Sequence, residues 1–224
     1  MKTLKIFIAI LMLSIAGNVQ AQLTKEQIKE RKATMKMANE ALKEKASKIA
    51  RKEAKKYKKE GWMVSPGALP LEKQLDKSYL MQEQFDEDMF PKYIIGEGRS
   101  TGENYDAAKM QALELAKQNL AGQIQTEMNA LIENTVSNSQ MGAEEAASVT
   151  KMLSASKNKI SARIGRVIPV VETYRKNSNK NVEVLIHIFY NSKMAKEAAK
   201  NAIREDLAKE GENLQKKLDE QLGW

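Results

Sequence analysis

The chain has 224 residues, one His, no Cys and a formal net charge of +8, from 37 Lys and Arg against 29 Asp and Glu. Without cysteine, the sequence excludes disulfides, thiolate metal sites and cysteine nucleophiles, and the single histidine excludes a histidine-rich metal cluster. A hydrophobic content of 42% with 29% charged residues allows a folded core but excludes a protein with several membrane spans.

The N-terminal residues have the pattern of a secretory signal peptide. Lys2 and Lys5 precede an apolar run over residues 6–13, and small residues then lead to Ala21. This order predicts export with cleavage after Ala21. The alternative is an uncleaved anchor helix, but the apolar run is shorter than the ~20 residues that span a bilayer. We therefore expect a periplasmic, envelope-associated or secreted protein, without a lipid anchor because no cysteine follows the cleavage site.

Positive charge is concentrated in residues 22–60, which carry fourteen basic and six acidic side chains. This segment has no Pro or Gly and is rich in Ala, Lys and Glu, so its composition predicts one continuous helix. Its apolar residues recur every seven positions and form a narrow seam of Ile28, Met35, Leu42 and Ile49. The cationic side chains that we consider as further interaction residues are Lys48, Arg51, Lys52 and Lys55.

Three interpretations of this basic helix differ in the partner to which the helix binds. The apolar seam favours docking on another helix, of the same chain or of a second copy. Alternatively, the cationic face binds anionic lipid headgroups or another polyanion. Nucleic acid is disfavoured, because no aromatic residues alternate with the lysines for base stacking and because export separates the protein from that partner. Tyr57 and Trp62 are expected to anchor the end of the helix.

The region after the basic helix begins with a linker over residues 61–70, indicated by two glycines and two prolines. Pro70 suits the first turn of a short helix, on which apolar residues follow at fourfold spacing. A strand is predicted over residues 93–98. A long helix is then predicted over about 104–136, and its first half carries the small residues Ala108, Ala112 and Ala116, which allow close approach to a sheet.

The C-terminal half is predicted to contain two helices and a hairpin. The first helix covers about 143–163, and two β-rich runs at 167–174 and 182–190 form the hairpin. Pro169 places its strand at a sheet edge or a bulge, because proline cannot donate a ladder hydrogen bond. A closing helix covers about 192–222. Its leucine seam makes it the expected partner of the basic helix, with Leu214 near Leu42.

The element order indicates an α+β fold, with a three-stranded, mainly antiparallel sheet packed by helices and with long helices at both ends. The sheet comprises one strand and the β-hairpin, separated by two helices. The expected organisation is a signal peptide at 1–21, a basic long helix at 22–60, a linker and short helix at 61–91, an α+β core at 92–190 and a C-terminal helix at 191–224.

A nucleophile-elbow pattern occurs at residues 98–102, where G-x-S-x-G stands between a predicted strand and a predicted helix. Glu172 and His187 follow in the order that hydrolases use, so a serine hydrolase built on Ser100 is a remote alternative. The elbow requires a multi-stranded parallel sheet, whereas only one strand precedes the hairpin here. His187 also lies inside a predicted strand rather than on a loop.

Two further patterns are weak. Gly96, Gly98 and Gly102 resemble a dinucleotide fingerprint with one residue too many, and we interpret them as a tight glycine turn. The acidic triplet at residues 86–88 lacks the other oxygen ligands and the turn of a calcium loop, so it indicates an acidic surface turn. We therefore expect no cofactor, no metal site and no catalytic residues.

Four features together resemble the LPP-twenty type of small bacterial envelope lipoproteins. They are the strand at 93–98, the alanine-spaced helix after it, the segment at 164–167 that leads into the hairpin, and the end of the hairpin at 184–188. The same layout is similar to the N-terminal domain of flagellar assembly protein T. The resemblance covers about residues 92–190 and rests on glycines, alanines and alternating apolar residues. It implies an envelope-located α+β module of structural or interaction type, without an active site. The acylated cysteine of such lipoproteins is missing here.

These observations lead to one functional expectation and one principal alternative. We expect a non-enzymatic exported envelope protein that acts as a structural or protein-interaction module, with envelope proteins or its own copies as partners. The alternative is a peripheral protein that binds anionic lipid or another polyanion through residues 22–60. Neither interpretation involves nucleic acid or a small-molecule substrate.

Overall fold

The computed structural model describes residues 43–87, 89–137 and 142–210, together with positions 28, 29, 32, 36 and 216. The chain divides into two compact units, residues 1–45 and 46–224. In the first unit, helical backbone is described at Ile28, Lys29, Lys32, Lys36 and Lys43. The predicted signal peptide and the predicted proximity of Leu42 and Leu214 lie outside the described residues.

The second unit has the α+β fold that the element order predicts. Its helices are α1 (Lys48–Lys59), α2 (Leu71–Gln82), α3 (Tyr105–Ser137), α4 (Ala143–Ala155), α5 (Lys157–Arg163) and α6 (Ser192–Glu210). Its strands are β1 (Tyr93–Gly102), β2 (Ile168–Lys176) and β3 (Val182–Asn191). No described helix combines the length and the apolar composition that crossing a bilayer requires.

The three strands form an antiparallel sheet in the order β1-β3-β2. The predicted hairpin is confirmed as β2 and β3. Pro169 lies on the edge strand, and the register shifts between Pro169 and Val171, so both the edge and the bulge expected from this proline are present. At the outer edge of β2, Met63 and Tyr174 exchange two backbone hydrogen bonds of 2.7 and 2.8 Å.

Helix α3 packs on one face of the sheet through small residues on both sides. A Cβ atom on Gly102 would lie 2.8 Å from the backbone nitrogen of Ala108, and one on Gly96 would lie 2.8 Å from the Cβ atom of Leu120. Glycine in β1 and alanine in α3 therefore let the helix backbone approach the sheet directly. The close approach expected from the alanine spacing is confirmed.

The two faces of the sheet bury separate apolar clusters. The larger cluster contains α3 and the helices that pack on its second half, with Ile124, Met128, Ile132, Leu153, Ile160, Ile203 and Leu207 almost fully buried. The smaller cluster lies on the opposite face, where α1 and α2 cover Val170, Val171 and Phe189. The sheet is thus the middle layer between two layers of helices.

Two predicted helices are interrupted. The single helix expected over 22–60 is wrong: Lys45–Ser47 are not helical, and α1 begins at Lys48 because the Ser47 side chain accepts a hydrogen bond from the Ala50 N–H. The helix expected over 143–163 divides at Ser156, whose buried hydroxyl donates to the Leu153 carbonyl at 2.7 Å. Helix α6 is described to Glu210, and most of the predicted remainder lies outside the described residues.

Candidate functional site: the cationic face of a docked helix

Helix α1 docks through a seam of alanines. Ala46, just before the helix, and Ala50 and Ala54 within it are 4%, 0% and 1% exposed. They belong to the same buried cluster as Leu75 of α2 and Phe189 of β3. Because an alanine side chain ends at Cβ, the helix backbone lies close to its neighbours and its exposed side is held at a fixed orientation.

The first turn of α1 is tied to α2. The Ser47 N–H donates to Asp76 Oδ1 at 3.0 Å, while Ser47 Oγ accepts the Ala50 N–H at 3.2 Å. This serine therefore caps α1 and bridges it to α2. The hydrogen bonds from Ser47 lower the pKa of Asp76.

Two more polar contacts join α1 to α2. Lys58 Nζ lies 3.0 Å from Glu72 Oε2, and the Tyr79 hydroxyl donates to the Glu53 carboxylate. The pKa of Glu72 is lowered, first by the hydrogen bond from its own backbone N–H and then by Lys58. Each surface pair is worth little, but together with the alanine seam these contacts determine which side of α1 faces outward.

The C-terminal end of α1 is anchored by Trp62, which is 4% exposed and lies 6.2 Å from Tyr57 between ring centroids. The guanidinium groups of Arg175 and Arg99 lie 4.7 and 5.4 Å from the Trp62 ring centroid. Both arginines donate through Nε to the buried carboxylate of Glu183. Tyr57 and Trp62 are thus the anchor that the sequence predicted, since two stacked arginines and their shared carboxylate hold the indole in place.

Glu183 is charged in spite of its burial. Desolvation alone raises the pKa of a carboxyl group, but the hydrogen bonds and charges of Arg99 and Arg175 outweigh that effect and lower the pKa of Glu183. The cluster of Trp62, Arg99, Arg175 and Glu183 is therefore a structural clamp between β1, β2, β3 and the end of α1.

The outward side of α1 carries a cationic ridge, which we define as Lys48, Lys52, Lys55 and Lys59. These lysines recur at spacings of four, three and four residues, on the side of the helix opposite the alanine seam, and all four are exposed. The helix has seven basic residues and one acidic residue. Among the described residues, Lys58 is the one basic residue of α1 that pairs with a carboxylate.

Of the eight interaction residues predicted from the sequence, six lie in the described part of the chain and two do not. Lys48, Arg51, Lys52 and Lys55 are exposed on α1. Ile49 is 70% exposed and Ile28 is 40% exposed. Met35 and Leu42 lie outside the described residues. On α1, the alanine seam rather than Ile49 makes the contact with the smaller apolar cluster.

Sequence reasoning missed Lys59 as a member of the ridge and missed Ala50 and Ala54 as the docking residues. The fourfold spacing of Ala46, Ala50 and Ala54 was a visible signal for a buried side. The heptad pattern instead assigned the buried side of the helix to Ile49, whose apolar side chain is larger than that of alanine.

The three residues of the predicted hydrolase triad are not brought together. Ser100 lies inside β1 rather than at a strand-to-helix turn, and its hydroxyl donates to the Gln111 side chain. It is paired with Val184, three positions before His187 on the same strand, so Ser100 and His187 point to opposite faces of the sheet. Glu172 accepts hydrogen bonds from Tyr105 and Lys109. The segment therefore lacks the elbow geometry.

The glycines and acidic residues also differ from their sequence patterns. Gly96, Gly98 and Gly102 lie in β1 beneath α3, so the expected glycine turn is wrong and their Cβ positions are filled by helix atoms. Asp86 Oδ1 accepts the Phe90 N–H at 2.9 Å, which closes a surface turn. Within the described part of the chain, no group of three or more His, Asp or Glu side chains is suitably placed to hold a metal ion.

His187 lies half-buried on the sheet face that α1 covers. Its Nε2 atom is buried and lies 3.5 Å from Glu97 Oε2, but the two atoms are not aligned for a hydrogen bond. Burial lowers the pKa of His187, and the charges of Glu97 on β1 and Glu53 on α1 oppose that shift only in part. We consider burial to be the dominant effect, because an unaligned carboxylate that is itself exposed compensates desolvation poorly.

Comparison of the chain with protein-family models, with curated proteins and with solved structures finds no match in any of the three.

Proposed function

We propose that this chain is a non-enzymatic, exported protein of the cell envelope that acts as an interaction module. In this proposal the cationic ridge of α1 binds an anionic surface on an envelope protein or on a copy of the same chain. The signal-peptide pattern and the resemblance to LPP-twenty-type proteins support the location. No cofactor, nucleic acid or small-molecule substrate takes part.

The observation that carries the proposal is the alignment of four lysines on the outward side of a helix whose other side is held by alanines. Like charges three or four residues apart destabilise a helix by about 0.2–0.5 kcal/mol per pair. The three successive pairs of the ridge therefore cost roughly 1 kcal/mol in total. An anionic partner removes this repulsion and meets a ridge whose backbone is already helical, so that the side chains alone are ordered on binding.

A second candidate function is supported by Ile49. This side chain is 70% exposed beside the ridge, and an apolar residue next to lysines suits shallow insertion between anionic lipid headgroups. The chain then acts as a peripheral membrane protein rather than as a protein-binding module.

The test of protein binding is a pull-down from envelope fractions with the chain from residue 22, at low and at high salt. We expect the wild type to capture partners at low salt and to lose them at high salt, because exposed charges are screened. Lys52→Glu combined with Lys55→Glu is expected to abolish capture. The matched control is Lys151→Glu with Lys176→Glu, which changes the net charge equally at exposed positions outside α1.

Vesicle sedimentation distinguishes the lipid alternative. Binding to anionic vesicles but not to neutral vesicles, reduced by salt and by Ile49→Ser, supports the membrane function. Equal capture by the ridge variant and the control variant contradicts protein binding by the ridge, and equal vesicle binding by the two variants contradicts the membrane function.

A further inference from the structure

The outer edge of β1 carries a row of backbone groups that the sheet itself does not use. The Ser192 N–H donates to the Lys92 carbonyl at 3.0 Å, which fixes the alternation of the antiparallel ladder between β1 and β3. The even-numbered residues of β1 therefore bond to β3, whereas the N–H and C=O groups of the odd-numbered residues point away from it. These outward residues are Ile95, Glu97, Arg99 and Thr101.

The outward N–H groups are free in the part of the chain that the structure describes, where none of the four donates a hydrogen bond. Among the four carbonyls, that of Glu97 accepts a hydrogen bond of 3.3 Å from the Asn119 side chain of α3. A carbonyl oxygen has two lone pairs, so it can accept a second hydrogen bond. The edge of β1 is therefore a template on which one more strand can pair.

Helix α3 forms a wall beside this edge. Gln111 and Asn119 contact β1 through the Ser100 hydroxyl and the outward carbonyl of Glu97. Leu115 lies midway between Gln111 and Asn119 on the same side of the helix and is 40% exposed. Leu115 and Asn119 also line an open groove along α3. An added strand can therefore place apolar side chains against Leu115.

The other face of the edge, on the side of α1, is acidic. Glu97 is paired with His187 on this face, and its side chain is 58% exposed. The groups beside it do not neutralise it, because Arg99 is ion-paired with the buried carboxylate of the clamp and burial lowers the pKa of His187. Burial raises the pKa of Tyr57, and three carboxylates raise it further against the charge of Arg99; they are Glu53, Glu97 and Glu60. These surroundings favour a cationic group opposite Glu97.

A second copy of the chain is a poor source of the added strand. Its β1 has α3 directly above it, since a Cβ atom on Gly96 would overlap the Ala116 carbonyl oxygen. Antiparallel pairing of two β1 strands would place two such helices over strands about 4.8 Å apart, whereas packed helices lie about 8–10 Å apart. Its β2 is occupied at Tyr174 by Met63, and its β3 is the central strand. The occupant is therefore a segment that carries no helix on this face.

We propose that β1 binds an extended segment of a protein partner as a fourth strand, with a basic residue of that segment opposite Glu97 and an apolar residue on each side of the basic one. Directly opposite residues share a face of the sheet, so the basic side chain lies beside Glu97 and its neighbours point toward Leu115. Main-chain hydrogen bonds supply affinity in this mode of recognition, and alternate side chains supply specificity. The inference goes beyond the proposed function, because it does not depend on the cationic ridge.

Hydrogen exchange of backbone amides, followed by NMR, tests whether the edge is free and whether it can be occupied. In the purified protein alone, we expect the outward amides of β1 to exchange about a hundredfold faster than the even-numbered ones, which are protected by β3. The probe is a capped peptide of sequence Ser-Val-Thr-Val-Lys-Val-Thr-Val-Ser. Its addition is expected to protect the amides of Glu97 and Arg99 and to leave those of the even-numbered residues unchanged.

Two altered peptides test the chemistry of the contact. Replacement of the lysine by glutamate keeps the apolar residues and is expected to weaken binding at least about tenfold, because like charges then meet at Glu97. Methylation of the lysine amide nitrogen removes a donor that faces β1 and is expected to weaken binding by about the same factor. Methylation of the valine nitrogen next to it is the matched control, because that N–H points away from β1.

A pair of protein variants tests the same hydrogen bond from the other side. Glu97→Pro removes the outward N–H together with the carboxylate, whereas Glu97→Ser removes the carboxylate alone. Proline is tolerated on an edge strand where its nitrogen faces outward. We expect the proline variant to bind the lysine peptide about three- to tenfold more weakly than the serine variant. Circular dichroism confirms that both variants are folded.

Several outcomes overturn the inference. Protection of the outward amides in the protein alone means that another part of the chain already occupies the edge. Unprotected outward amides at a concentration of about 1 mM lysine peptide exclude binding of this kind. Equal affinity for the lysine and glutamate peptides contradicts the basic partner, and equal effects of the two N-methyl groups contradict pairing with β1.

Discussion

A Cβ atom on Gly98 would overlap the carbonyl oxygen of Ala112, so β1 and α3 meet backbone to backbone at this point. We expect Gly98→Ala to reduce the free energy of unfolding by roughly 3 kcal/mol, because the neighbouring atoms belong to a helix backbone and cannot move aside as a flexible side chain can. Urea denaturation measures the change. Gly165→Ala is the control, since nothing lies within 4 Å of its Cβ position, and unchanged stability of the Gly98 variant contradicts the packing.

The alanine seam of α1 is tested by enlarging one of its members. Ala50 is fully buried, so Ala50→Leu is expected to destabilise the protein by about 1–3 kcal/mol through overpacking. Ile49→Ala, one position away and 70% exposed in the wild type, is expected to change stability by less than about 0.5 kcal/mol. Thermal denaturation compares the two. A larger loss for the Ile49 variant would mean that the heptad seam, not the alanine seam, docks the helix.

Because Glu183 holds the two arginines of the clamp around Trp62, its charge is expected to stabilise the fold at neutral pH. Glu183→Gln leaves two guanidinium groups without their shared carboxylate and is expected to cost about 1–3 kcal/mol. The lowered pKa of Glu183 means that its charge stabilises the fold above the ordinary value of 4.5, and that this contribution is lost as pH falls through the folded pKa. The difference in free energy of unfolding between wild type and variant is therefore expected to decrease as the pH is lowered. Glu114→Gln, at an exposed position, serves as the control, and a gap independent of pH contradicts the assignment.

His187 predicts a second pH dependence, in a higher window. Its folded pKa is below the ordinary 6.5, so protonation favours the unfolded chain and stability falls as pH drops from 6.5 through the folded pKa. The carboxylates that face it, Glu97 and Glu53, reduce this effect but do not reverse it. We expect His187→Gln to remove the slope in this window, as followed by melting temperature. Parallel curves for the two proteins would show that His187 does not cause it.

Alternating and fourfold apolar patterns were sufficient to predict the sheet, the hairpin and α3, because each of these elements buries one regular face. The start of α1 at Lys48 was not predictable in this way. Ser47 caps α1 and donates its N–H to Asp76, which is 29 residues away in the sequence and becomes a neighbour only after α2 has docked. The same applies to Gly98, since a glycine in a strand is explained only by the helix that approaches it.

Part of the candidate site could be predicted from the sequence. The lysines of α1 were visible as a charge run, but which of them face outward depends on the side that docks, and the alanines decide this. Of the acidic triplet, Asp86 closes the expected surface turn by accepting the Phe90 N–H. The exposure of Phe85 and Phe90 beside it was not predictable, because aromatic residues in a sequence usually indicate a buried cluster.

The outer edge of β2 is poorly suited to pairing with a strand of another copy of the chain. Met63 occupies the hydrogen-bonding groups of Tyr174 at one end of that edge, and the bulge after Pro169 disturbs the other end. An incoming strand therefore finds no continuous row of free amide groups along β2 on which to continue the sheet. Sheet extension from one copy to the next is therefore disfavoured at this edge, which protects the chain from fibril growth there.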